Sequence, residues 1–511
     1  MKSSIFRTLR ATLIATTVGP LNGVFTSAPA RSRKQGYARK LSLAKMAAIV
    51  SVFCAATAIL SPAQTFTSLF SFDGKNGASP HYVDLVQGPD GYLYGTSQVS
   101  TGTNGTVFKI TTAGKLTTLH TFCTEGDPCM DGATPFAGLV LDTNGNFYGT
   151  TTNGGANSDG TVFEITPAGK LTTLHSFDGT DGIEPEVGLI QATNGDLYGT
   201  TSEGGTGAEG TIYEMTSGGT LTSLLSFIGT NGVYPDARLV QGTDGNFYGT
   251  TYEGDANSGT VFKITSAGKL TTLHKFDGTD GGGPTGALVQ ASNGNFYGTT
   301  INDGPDGGGT VFEITPAGKF TNLHSFCSES DCKDGSTPYA GLIQATDGNL
   351  YGTTYSGGTS TQPCNGGCGT IFKITTAGKL TTLHSFCSKS DCTDGNAPQG
   401  GLVQDTNGTL YGTTFYGGTD GIGTVFSLSV GLGSFVETVP ASGKVGATVM
   451  ILGTNLTGAT EVSFNGTSVK PTVVSGTEIK ATVPAGASTG TVTVTTPSGT
   501  VKSNVVFVVT P

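Results

Sequence analysis

The sequence predicts an all-β protein: a seven-bladed β-propeller closed by its own N-terminal strand, followed by an immunoglobulin-like β-sandwich. Three observations predict the propeller. A Tyr-Gly pair recurs at Tyr94, Tyr148, Tyr198, Tyr248, Tyr297, Tyr351 and Tyr411, in steps of 54, 50, 50, 49, 54 and 60 residues; a period in this range marks propellers, solenoids and arrays. Gly supplies 81 of 511 residues and charged side chains only 12%, about half the usual share, which favours strands and tight turns over helices. Finally, the strands at the two ends of the repeat region are complementary, as described below.

The chain opens with a leader, residues 1–63. RKLSLAK (Arg39 to Lys45) precedes the apolar run MAAIVSVFCAATAIL (Met46 to Leu60) and then SPAQ. A basic stretch, an apolar core and a small-residue exit read as a secretory signal peptide, cut after Ala63. The run is shorter than the roughly 20 residues of a membrane span, so no span is expected in the mature chain; an uncleaved anchor is the alternative. Residues 1–63 carry nine basic side chains and no acidic ones; subtracting those charges from the formal −11 leaves −20 on the remainder. An acidic body repels phosphate backbones, which excludes nucleic acid as a partner and leaves cations or neutral ligands such as sugars.

Residues 65–430 form the repeat region. In GLIQATNGDLYGTT (Gly188 to Thr201) two short strands flank an Asn-Gly turn, the strongest short hairpin signal. GTVFEIT (Gly160 to Thr166) alternates as a third strand, PAGK turns, and LTTLHSF (Leu171 to Phe177) is a fourth. With the strands named A to D, four in about fifty residues make a propeller blade. The region opens with TFTSLFSF (Thr65 to Phe72), a D-type strand without its A, B and C, and the last unit lacks its D strand. The orphan completes the last unit and closes a ring; an open β-solenoid, the alternative, has no use for it.

Alternating strand direction puts the uniform A–B and C–D turns on one face of the ring, and the variable B–C and D–A loops on the other. Binding is expected on the variable face or at the channel mouth. Its B–C loops carry candidate ligand-face acids at Glu203, Glu209, Glu253, Asp255, Asp303 and Asp306, from which a carboxylate pair for glycoside hydrolysis could be drawn; nothing in the sequence singles out two. Trp is absent, but 16 Tyr could stack on sugars.

The eight cysteines after the leader fall into local pairs: Cys123 with Cys129, Cys327 with Cys332, Cys364 with Cys368, and Cys387 with Cys392. Each step longer than 50 residues holds one or two such pairs. In an exported chain they read as disulfides pinning the insertions. Zinc is the alternative at Cys364 and Cys368, but no clustered histidines supply a second half. His120, His175, His274, His324 and His384 share one place in strand D, a packing position; His81 breaks the register. Each D–A loop carries Asp or Asn, then Gly, then Pro three residues on. That is turn chemistry; the alternative is Ca²⁺ held by Asp178 with Asp181 and Asp277 with Asp280, short of the six to eight oxygens calcium takes. No catalytic residue is assigned and no cofactor is required on this reading.

The recurring DGNLYGTT, GTVF and AGKLTTLHSF patterns are similar to the GloVer tandem repeats of bacterial surface proteins, over residues 65–430. The family brings no activity with it; many members carry a C-terminal anchor. This chain ends at VVTP, so a secreted or non-covalently retained surface protein is expected. Over 434–511, Gly446, Gly453 to Leu456, Val462, Phe464, Pro484, Gly490 and Gly499 resemble the IPT/TIG family, which implies an Ig-like spacer or interaction module. The expectation is a monomeric, non-enzymatic binding or scaffolding protein that meets an extracellular glycan or protein; a glycan-active hydrolase or lyase and a passive cell-surface spacer are the alternatives.

Overall fold

The repeat unit folds as its alternation dictates. In the second unit the strands Val140–Leu141, Phe147–Thr151, Thr161–Ile165 and Leu171–Ser176 are hydrogen-bonded in that order, all antiparallel. The computed structural model describes residues 64–510 apart from 100–103, 125, 127, 255–257, 361–363 and 365; the leader and Asp255 lie outside them. Seven such four-stranded sheets follow one another in the described residues, the arrangement of propeller-like repeats. The last comprises Val403–Gln404, Leu410–Thr414 and Thr424–Ser429, and its fourth strand is the N-terminal Thr65–Ser71. That strand skips a register step at Leu69, as the D strand of the first complete unit does at Leu119.

The repeated letters have packing reasons. Every B strand is buried along its whole length, so it must fill space on both faces. The Thr that ends each B strand bonds the Thr that starts its C strand, as in Thr151–Thr161 and Thr201–Thr211 at 2.8 Å; Ser97 takes the place in the first sheet. The Thr one residue earlier donates to the backbone of the next sheet: Thr96 to Ala137 at 2.7 Å, Thr200 to Pro235 at 2.9 Å, Thr299 to Ala340 at 2.9 Å. The same bond joins the seventh sheet to the first, from Thr413 to the Val83 carbonyl at 3.4 Å. Where an A strand ends in Gln, the side chain bonds the adjoining sheet's A–B turn, and the Thr406 amide donates to Gln87 Oε1 at 2.9 Å.

One compensation emerges only by comparing repeats. Where the A–B turn carries Asp, the facing C strand carries Lys: Lys109 pairs with Asp90 at 3.2 Å, and at Asp244 hydrogen bonds from Asn246 and Tyr248 outweigh burial and lower the carboxyl, with Lys263 adding to them. Where the turn carries Asn, the C strand carries Glu in three sheets, as in Asn194 to Glu214 at 3.0 Å, and Ser427 in the seventh. Turn and C strand thus change together, an ion pair in some sheets and an amide-carboxylate hydrogen bond in others.

The cysteines are bonded as four local disulfides: Cys123 to Cys129, Cys327 to Cys332, Cys364 to Cys368, and Cys387 to Cys392. Three of them share one task that the spacing did not reveal. The second cysteine lies in a D–A loop and its carbonyl accepts two amides, one from its own loop and one from the B–C loop beside it. Cys129 accepts from Gly132 at 2.9 Å and Gly155 at 2.8 Å, Cys332 from Gly335 and Gly358 at 2.9 Å each, and Cys392 from Gly395 at 2.8 Å and Gly418 at 2.9 Å. The cross-link therefore fixes a residue that joins two loops, and not only the insertion that carries it. Cys364 and Cys368 differ, since both lie in the B–C loop of the sixth sheet.

After residue 433 two further four-stranded sheets enclose their own apolar core, with Val436, Ile451, Val462, Phe464, Ile479 and Phe507 buried. This C-terminal unit covers the A–B turn face of the repeats. Val439, Met450 and Leu452 share an apolar cluster with Tyr94, Leu139 and Leu141. Thr477 donates to the Pro89 carbonyl at 2.7 Å, Thr454 to Thr406 at 3.0 Å and Asn504 to Gln344 at 2.9 Å. The B–C and D–A loops project from the other ends of the strands. Among the described residues no helix is long and apolar enough to cross a membrane.

Candidate functional site

The D–A loops reach inward through one repeated device. The Asx-Gly glycine of each loop has positive φ, for example +100° at Gly132 and +113° at Gly232, and a Cβ there would strike the Thr at the end of the B strand. Two residues on, a side chain is held left-handed (Glu184 at 55°, Tyr234 at 53°), and the proline follows. The residue leading into each A strand varies, with six residue types over the seven sheets: Tyr82, Phe136, Glu186, Asp236, Thr285, Tyr339 and Gln399. On a scaffold that repeats nearly everything else, this ring is the point of divergence.

These side chains converge. The rings of Tyr82 and Tyr339, from sheets that are not neighbours, lie 5.8 Å apart; Tyr339 meets Tyr355 at 5.4 Å and Tyr82 meets Phe136 at 6.5 Å. Tyr82, Glu186, Asp236 and Thr285 line a cavity floored by Asp84 and Arg238. Two residues further along each A strand the side chain is small (Gly138, Gly188, Ala287, Gly341, Gly401) except at those two, and Arg238 pairs with Asp84 at 3.6 Å. Asp84 also accepts from the Gly401 amide at 2.7 Å, so this ion pair ties three sheets together under the cavity.

The acids above it are strained electrostatically. Burial pushes Asp236 up to about 7, helped by the charge of Glu186 and partly offset by the Ser202 hydroxyl. Burial raises Glu186 to about 6, with Glu184 adding repulsion. Asp236 Oδ1 and Gln399 Oε1 are closed off from solvent and have no hydrogen-bond partner. His81, the residue inserted in the first loop, is packed edge-on against Phe136 at 4.5 Å and Phe415 at 5.1 Å, and burial lowers it to about 4.

A pH prediction follows for Asp236. Its folded pKa lies above the unfolded value near 4, so the folded state holds the extra proton between about pH 4 and about pH 7, and stability falls as pH rises through that window. Asp236→Asn is expected to raise stability at about pH 8 by on the order of 2 kcal/mol and to flatten the decline; thermal melts across pH measure it. An unchanged profile would remove the buried charge from the account.

The other candidates are distributed elsewhere. Glu209 and Glu253 flank Tyr234 in an open groove at the rim, with Glu203 close enough to act on the same phenol. Asp303 and Asp306 sit on the B–C loop of the fifth sheet, where the Asp306 amide donates to Ser325 at 3.0 Å. Asp181 bonds His175 at 2.7 Å and the Asp178 amide at 3.0 Å; Asp280 bonds His274 at 2.7 Å and the Asp277 amide at 3.2 Å. Asp178 and Asp277 are lowered by the hydroxyls and amides of Thr180 and Thr279. Equivalent pairs at His120–Asp131, His324–Asp334 and His384–Asp394 show that the D-strand histidines anchor the D–A loops. The described group of metal-ligand atoms that does converge is Cys364, Cys368, Cys387 and Cys392, within 4.8 Å, and these are bonded as two disulfides. Cys129 and Cys332 stand outside that group, each bonded within its own loop.

The fold and its loops define an all-β protein of propeller-like repeats that diverge at the residue leading into each A strand. The Gloeobacter/Verrucomicrobia repeat model matches residues 56–195, 184–364 and 258–475, and the chain belongs to that family. No curated protein matches the chain. Among solved structures, a putative 6-phosphogluconolactonase from Bacteroides fragilis is 16% identical with a TM-score of 0.42, covering 75% of this chain and 92% of that one. A luciferin-regenerating enzyme is 14% identical with a TM-score of 0.38, over 58% and 92%. An auxiliary nutrient binding protein from Bacteroides thetaiotaomicron is 13% identical with a TM-score of 0.37, over 57% and 68%.

Proposed function

We propose that the protein is an exported, non-enzymatic binding protein that recognises an extracellular glycan at the central mouth. On this reading the seven sheets form a seven-bladed propeller closed by Thr65–Ser71, and residues 434–511 form an Ig-like module of the IPT/TIG kind. The supporting observation is the ring Tyr82, Phe136, Glu186, Asp236, Thr285, Tyr339 and Gln399, seven side chains that diverge at one register position of a repeated scaffold. Aromatic faces beside acids and amides are what stacking on a sugar and bonding its hydroxyls require. The opposite face is occupied by the C-terminal unit, which leaves the mouth side for the ligand.

A second reading has one observation in its favour. Glu186 and Asp236, raised to about 6 and about 7 beside one cavity, have the protonation that a general acid for glycoside cleavage needs. A polysaccharide binding screen of the exported protein, with reducing ends assayed in parallel, separates the two. Binding without release of sugar ends is the expected result. Release abolished by Asp236→Asn would move the case to a hydrolase, and silence on every glycan would leave a structural spacer.

A further inference from the structure

Resting on the glycan reading, we propose that the mouth is an ammonium-binding site and that its ligand is a glycan bearing free, protonated amino groups. Asp236 lines the cavity, and its Oδ1, closed off from solvent, is an acceptor with no hydrogen-bond partner. A buried acceptor without a donor is costly, and a ligand that only donates relieves it.

The charge around the mouth has the matching sign. The charges acting on Asp236 are Glu186, Glu184 and Glu203, and those on Glu186 are Glu184 and Glu203, all negative; the Ser202 hydroxyl is the one group that lowers both acids. The nearby cation, Arg238, is turned to Asp84 beneath the cavity. A positive ligand therefore meets two acids whose neighbouring charges are all negative, and it favours the ionised carboxylates that burial alone disfavours.

The rim selects an organic cation over a metal. Tyr82, Phe136, Tyr339 and Tyr355 present rings 5.4 to 6.5 Å apart in successive pairs. Aromatic faces attract ammonium groups through the ring quadrupole. Calcium instead takes six to eight oxygens, and aromatic carbon occupies much of this rim. One amino sugar matches both halves, its ring stacking on the tyrosines and its ammonium facing Asp236 and Glu186.

Calorimetry of the exported protein with a glucosamine hexamer and with its fully N-acetylated counterpart tests this, at a pH where the free amine is protonated. The amine oligomer is expected to bind at least about tenfold more tightly, roughly 1.4 kcal/mol. Asp236→Asn and Glu186→Gln are each expected to remove most of the difference in affinity between the two oligomers, with Gly294→Ala, at a turn remote from the mouth, as the control that keeps it. The amides keep the shape of the acids, and the melting profile expected for Asp236→Asn certifies folding. Equal binding of the two oligomers, or a preference that survives both substitutions, overturns the ammonium site while leaving glycan recognition standing. Binding of neither oligomer overturns it too, and if the wider screen is also silent the glycan reading falls with it.

Discussion

Deleting residues 64–72 is expected to leave no cooperatively folded repeat unit. The strand Thr65–Ser71 is the fourth of its sheet, paired with Thr424–Ser429 from the far end of the repeat region. Its Phe66 stacks on His384 at 3.8 Å and on Phe426 at 5.5 Å. Phe72, fully buried, meets Phe108 of the first sheet edge-on at 5.6 Å, and its amide donates to the Gly423 carbonyl at 3.0 Å. Truncating one buried Phe costs about 3–5 kcal/mol, against a total stability on the order of 5–15 kcal/mol. Loss of three rings, Phe66, Phe70 and Phe72, and a whole ladder exceeds what the remainder sustains. Circular dichroism and gel filtration of the truncated protein read the outcome. A sharp melt within a few degrees of the parent would show that the strand is an accessory and not a closure.

The second large effect is expected at the Tyr-Gly pair. The glycines there, Gly95, Gly149, Gly199, Gly249, Gly298, Gly352 and Gly412, are required for room and not for backbone freedom, since none has positive φ. A Cβ on Gly249 would lie 2.7 Å from Phe262 Cζ and 2.9 Å from Leu239 Cδ2, both buried. Gly249→Ala forces those rings and methyls apart, at about 1–3 kcal/mol, and Gly249→Val costs more. Gly294, in an A–B turn with nothing near its absent Cβ, is the contrasting position: it has φ +83°, so Ala there is opposed by backbone strain alone, about 1 kcal/mol. Urea unfolding of the variants ranks them; equal midpoints for Gly249→Val and the parent would refute the packing argument.

Much of the fold was legible because each unit repeats its local signals. Asn-Gly turns between alternating runs marked the hairpins, and the D-type letters of TFTSLFSF led to its pairing with Thr424–Ser429. The cysteine pairs were legible because each lies inside one insertion. The bonds that the Cys129 and Cys332 carbonyls make to the neighbouring B–C loop were not, since a backbone acceptor leaves no letter in the sequence. The central ring was harder to read. Its residues follow a proline common to all seven loops, but the extra residue at His81 shifts the first loop by one place, so alignment on the proline alone puts His81 where Tyr82 belongs. The Asp84–Arg238 pair joins residues 154 positions apart in non-adjacent sheets, and no local pattern encodes such a contact. The loop acids stand out in the sequence because the B–C loops vary in length, whereas Glu186 and Asp236 each follow a proline in a loop of regular length. The signal that finds them is variability at a fixed register within one chain. The docking of the C-terminal unit on the A–B face depends on Val439, Met450 and Leu452, whose apolar letters look like any strand.

Hydrogen exchange of the protein with and without bound glycan tests the central claim most directly. The account predicts slowed exchange in short segments of several sheets at once, at residues 82–84, 136–138, 186–188, 236–238, 285–287, 339–341 and 399–401, because the mouth is built from one register position in every unit. Protection confined to a single B–C loop, or to residues 434–511, would contradict it.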